Sequence, residues 1–84
     1  MTSSIFTQRY NRFRISLIEA RKAKAIPQAE LATKLRRPQS FVSKYERGER
    51  RLDVVEFFEV AKALGINPIA FLKELYGGTI KDRL

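Results

Sequence analysis

Cysteine and histidine are both absent from this 84-residue chain, and each absence removes a class of chemistry. Without cysteine there is no disulfide scaffold, no zinc finger and no thiol nucleophile. Without histidine the commonest general base and metal ligand is missing as well. Carboxylates and lysines remain, so catalysis is disfavoured rather than excluded. Glu30 and Glu46 have no partner arrangement suggesting acid–base work, and no Gly-rich phosphate loop or metal-ligand cluster is present. A non-enzymatic protein without a cofactor is expected. Long apolar runs are missing too, none approaching the roughly 20 residues that span a bilayer. The opening MTSSIFTQR has no hydrophobic signal-peptide core. These features point to a soluble protein inside the cell.

Acidic residues are scarce. Seventeen Lys+Arg face nine Asp+Glu, for a net charge of +8 and a sequence pI near 10.3. The imbalance is uneven: residues 1–51 hold 13 basic and 4 acidic side chains, while residues 52–84 hold 4 and 5. One basic half and one near-neutral, apolar half suggest a side that faces a polyanion and a side that packs. Hydrophobic residues make up 44% and aromatics 11%, too rich for intrinsic disorder. The length suits one small domain over 1–84, with its core over 7–77 and a frayed, flexible tail over 78–84.

Punctuation is sparse, and the segments between breaks show helical spacing without strand alternation. A first helix is expected from near Thr7 to about Ala25, with Tyr10, Phe13, Leu17 and Ala20 as its apolar stripe. Ile15 and Ile18 fall off that stripe. Pro27 and Pro38 open two short helices, Gln28–Leu35 and Gln39–Arg47. Ala29, Leu31, Ala32 and Leu35 are expected inside the first, Val42 and Tyr45 inside the second, and Gly48 suits a left-handed stop. Asp53 and Glu56 form a capping-box pattern for a fourth helix, so apolar up to Gly65 that burial on two sides is expected. Asn67-Pro68 opens a fifth, ended by Gly77-Gly78. Five helices make an all-α bundle.

A short helix, a tight basic turn and a second short helix form a helix-turn-helix pattern. From Gln28 the chain reads QAELATKLRRPQSFVSKYERGERRLD. This run resembles the Xre/Cro family of phage repressors and bacterial regulators, whose usual pattern is Q-x-x-L-A-x-x-x-G-x-S-x-x-x-[IV]-S-x-x-E-x-G. Gln28, Leu31, Ala32, Val42, Ser43, Glu46 and Gly48 match in register, and the likeness covers about residues 17 to 72. It implies a five-helix, lambda-repressor-like fold and a cytoplasmic, nucleoid-associated bacterial or phage protein. Three positions depart from the pattern: Arg36 stands where glycine is usual, Pro27 and Pro38 stand where Ser/Thr caps are usual, and helix 1 is lengthened by Phe6, Tyr10 and Phe13.

The resemblance also implies roles. It lays the second short helix in the major groove of duplex DNA, with Gln39, Ser40, Ser43 and Lys44 reaching bases. Gln suits adenine and Lys suits guanine. Phosphate contacts are expected from Gln28 at a helix N-terminus and from Arg36, Arg37, Arg47, Arg50 and Arg51. Phe41 is expected on a thymine methyl or the sugar–phosphate backbone. Arg21 and Glu46 are implied as a structural ion pair that positions the recognition helix.

A homodimer on a near-palindromic site is expected, because Phe57, Phe58, Phe71, Leu72, Leu75 and Tyr76 exceed what one side of a small core needs. Two readings of that surface stand open: a dimer interface, or cover by the long helix 1 of the same chain. A protein-interaction module, such as an antitoxin masking a toxin, is the alternative function for the same fold.

Overall fold

The computed structural model describes residues 7–77. The expected tail and Phe6 lie outside the described residues. Among the described residues all regular structure is helical: α1 Gln8–Ala23, α2 Gln28–Leu35, α3 Gln39–Arg47, α4 Val54–Leu64 and α5 Pro68–Leu75.

Local chemistry accounts for the helix starts. The Thr7 hydroxyl accepts from the Tyr10 amide at 3.1 Å. Asp53 and Glu56 cap each other's backbone N–H at 2.7 and 3.0 Å. The Asn67 side chain accepts from the amides of Ile69 and Ala70, with Pro68 at the first helical position. Pro27 and Pro38 precede α2 and α3 in extended conformation and provide no side-chain cap.

Among the described residues, α1 to α4 each end in one kind of turn, in which a left-handed residue lets two N–H groups fold back onto the last carbonyls. Gly48 and Gly65 fill that role after α3 and α4 at little cost. After α1 and α2 the left-handed residues are Ala25 and Arg36, each with φ 57. Arg36 therefore keeps the left-handed turn that glycine usually makes, and Ala25 ends α1 two residues earlier than its spacing suggests.

The core gathers Leu17 of α1, Leu31 and Ala32 of α2, Phe41, Val42 and Tyr45 of α3, and Phe57, Val60 and Leu64 of α4. Ala32 of α2 is buried in this core, and α2 and α3 pack against each other. Ala29, expected inside, is exposed. α2 is central: it packs against both α3 and α4, while α1 packs against α3 and α5.

α4 does not bury two sides. Phe57, Val60, Ala61 and Leu64 point inward, but Val54, Val55 and Phe58 are 72%, 66% and 43% exposed. α5 covers only part of the helix, and one apolar edge stays in solvent.

Candidate nucleic-acid interface

α3 is divided lengthwise. At 100° per residue, Gln39, Ser43, Arg47, Ser40 and Lys44 fall within an arc of about 140°. All are exposed except the half-buried Ser43. Phe41, Val42, Tyr45 and Glu46 occupy the other side and are buried. The polar arc holds every residue expected to reach a base. Ser43 also donates to the Ser40 carbonyl at 3.3 Å. Around Tyr45, burial and then the Glu46 carboxylate push the phenol well above its ordinary value of 10, so the ring anchors α3 as a neutral group.

Beneath the arc lies a buried polar network. Arg21 and Glu46 are only 9% and 6% exposed. The Arg21 guanidinium donates to both Glu46 oxygens, at 2.7 and 3.0 Å, and to the Ile26 carbonyl at 2.8 Å. These bonds offset the cost of taking both charges out of water. Gln28 Nε2 donates to Glu46 Oε1 at 2.8 Å, and Gln39 Nε2 donates to Gln28 Oε1 at 3.5 Å. One chain of hydrogen bonds thus runs from α1 through Glu46 and α2 to the first residue of α3. Arg14 of α1 donates to the Glu46 carbonyl and reaches the Asn11 side chain.

Four of the residues expected at phosphates, Phe41, Arg50, Gln28 and Arg37, are engaged within the protein. Phe41 is 7% exposed, and its ring lies under the guanidinium groups of Arg37 and Arg50, 4.4 and 4.8 Å from the centroid. It is a core residue held by cation–π contact. Arg50 is half-buried and bound through two nitrogens to Glu56, both at 2.9 Å, which ties the loop after α3 to the start of α4. Gln28 commits one of its two amide N–H donors to Glu46. Arg36 and Arg37 line a cleft between α2 and α4, with Arg37 also 3.7 Å from Glu56.

Arg47, the last residue of α3, and Arg51, in the loop that follows, are exposed. Arg47 holds Glu49 at 2.8 Å and keeps that carboxyl below its ordinary range. The Arg51 guanidinium stacks on Tyr10, 4.5 Å from the ring centroid.

The expected apolar interface is also redistributed. Phe57 is 5% exposed and meets Phe13 and Phe71 at ring distances of 5.2 and 5.7 Å. Phe71 and Leu72 pack on the core. Leu75 and Tyr76 line a groove with Tyr10 and Phe13 of α1, where Arg9 stacks on Tyr76 and Arg12 donates to the Leu75 carbonyl. Helix 1 therefore packs along part of this surface. The exposed apolar edge is instead Val54, Val55, Phe58 and Ile69, and only Phe58 was among the expected six.

Sequence reasoning missed Tyr10, Arg14 and Glu56 as parts of this site. Tyr10 accepts from the Leu52 amide at 3.2 Å, and Glu56 grips Arg50 as well as capping α4. The capping box pointed to Glu56 for its backbone role alone. Contacts that join α1 to the loop after α3 have no local signature. Among the described residues no His/Cys/Asp/Glu group could hold a metal ion, and no helix is long and apolar enough to cross a membrane.

Comparison with known proteins agrees with this architecture. The helix-turn-helix family model matches residues 17–71. An XRE-family like protein from Pseudomonas syringae pv. tomato str. DC3000 has a similar structure with a TM-score of 0.81; it is 51% identical, over 84% of this chain and 87% of that one. Two variants of the restriction-modification controller protein C.Esp1396I share the fold, with TM-scores of 0.78 and 0.76 at 21% and 23% identity. The alignments cover 84% and 96% of this chain and 95% and 98% of theirs. A search of curated proteins finds no match. The chain belongs to the Xre-type helix-turn-helix family of DNA-binding transcriptional regulators.

Proposed function

We propose that this protein is a sequence-specific duplex-DNA-binding regulator that acts as a homodimer, with α3 in the major groove. The observation that carries this reading is the exposed polar arc of α3 set on a buried, fully paired ion network. In this reading Gln39, Ser40, Ser43 and Lys44 read base edges, and Arg47 and Arg51 hold the flanking phosphates. Arg21, Arg14, Gln28, Glu46 and Arg50 keep the helix in place.

The exposed apolar residues Val54, Val55 and Phe58 of α4 and Ile69 of α5 support the dimer, since exposed apolar surface of this kind often marks an interface. A two-fold pairing would set the two α3 helices about 34 Å apart, one turn of DNA.

Duplex binding by variants separates the roles. Gln39→Ala or Lys44→Ala should relax base preference at defined positions, by about 1–3 kcal/mol each. Arg51→Ala should weaken binding to all sequences and lower the salt slope by about one. Equal, sequence-independent losses from all three would overturn the assignment. Phe58→Glu should shift the protein towards monomer in sedimentation and cost about tenfold or more in operator affinity. An unchanged mass would place the interface elsewhere.

A further inference from the structure

A second cationic surface lies between α2 and α4. It is a cleft of about 750 Å³ lined by Lys34, Arg36, Arg37 and Lys62, with Glu59 as its single carboxylate and Leu35 in its lining. Arg37 is engaged with Glu56 and the Phe41 ring. Among the described residues, Lys34, Arg36 and Lys62 form no ion pair. Cations crowded around one concavity repel each other, and an anionic group seated among them relieves that repulsion.

Three observations bear on the occupant. The cleft is lined from α2, the turn after it and α4, and no residue of the polar arc of α3 takes part in it. Leu35 gives the lining an apolar component that a sugar–phosphate backbone does not use. A second copy of a chain with net charge +8 is a poor source of carboxylates. These point away from the duplex and from self-association, and towards a partner rich in Asp and Glu.

We propose that the α2–α4 cleft docks an acidic segment of another protein. Its carboxylates pair with Lys34, Arg36 and Lys62, and an apolar side chain rests on Leu35. Docking while the protein is on DNA rests on the placement of α3 proposed above; binding of the segment by itself does not.

The test uses the full chain at 0.15 M salt, where the Debye length of about 8 Å screens distant charges. The probe is a fluorescein-labelled 14-residue peptide with Glu on one helical face and Leu on the other, followed by anisotropy with and without saturating duplex. The acidic probe should bind, and a control with every Glu changed to Gln should bind about tenfold or more weakly. Lys34→Gln/Lys62→Gln should cost the acidic probe about tenfold and leave duplex affinity unchanged. Lys22→Gln/Lys73→Gln, which removes the same charge elsewhere on the exposed surface, should leave probe binding unchanged. Circular dichroism establishes that both double variants are folded.

Equal losses from the two double variants would overturn the proposal, because the attraction would then belong to overall charge. Displacement of the probe by duplex would overturn it by making the cleft a DNA-backbone surface. If the probe binds as expected but duplex does not, the failure lies with the placement of α3, and simultaneous occupancy falls while the docking site stands.

Discussion

The two ends of α3 are built on opposite principles. At the N-terminal end Gln39 and Ser40 are exposed, and Pro38 offers no side-chain cap. At the C-terminal end Tyr45 and Glu46 are buried, the Glu46 carboxylate accepts three hydrogen bonds, Arg14 holds its carbonyl, and Gly48 closes the turn. The uncapped end and the anchored end are thus nine residues apart or less. Gln28 joins them, because it bonds Glu46 with one end of its amide and Gln39 with the other.

The largest expected effect lies at the closed end. Arg21→Ala leaves Glu46 buried without its charge partner and should cost about 3–5 kcal/mol of stability in urea unfolding. Gln39→Ala removes an exposed side chain and should stay within about 0.5 kcal/mol. Comparable destabilisation by the two would end the division between the ends of α3.

Next come the turns on either side of the helix. Gly48→Ala places a Cβ on a left-handed residue (φ 81) and should cost about 1–2 kcal/mol. Arg36→Gly relieves the same conformation before α3 and should gain about 0.5–1 kcal/mol. Thermal unfolding compares them directly, and a loss from Arg36→Gly would mean that its guanidinium contributes more than the turn costs.

The smallest effect is one of pH. Arg50, foremost, holds the Glu56 carboxyl below its ordinary value of 4.5. A carboxyl depressed in the folded state contributes stability that is full above the unfolded value and is lost as pH falls through the folded one. Stability should therefore decline below about pH 4.5, and Glu56→Gln should flatten that decline. An identical acid limb in the variant would remove Glu56 as the group that ties the loop after α3 to α4.

What was legible in the sequence was what is decided within one turn of chain. Thr7, the Asp53–Glu56 box, Asn67-Pro68, Gly48 and Gly65 bracket their helices through contacts three or four residues apart, and the i, i+4 pair Phe41 and Tyr45 already marked an inward face that would have removed Phe41 from the DNA contacts. The Xre resemblance supplied the fold and the Arg21–Glu46 pairing that the structure contains. Non-local packing was not legible. Which side of α4 stays bare depends on where α2 and α5 pack on it, and which arginines face solvent depends on Glu56 meeting Arg50 across a loop. A run such as ERGERRLD gives arginine positions without showing which carboxylate claims each one.

The most direct test of α3 as a base-reading helix is selection of binding sites from a random duplex pool at physiological salt, with the wild-type protein and Gln39→Ala in parallel. A two-fold-symmetric consensus with half-sites about 10 base pairs apart, losing information at one position per half-site in the variant, is the expected result. Recovery of no consensus, or of the same consensus from both proteins, would contradict it.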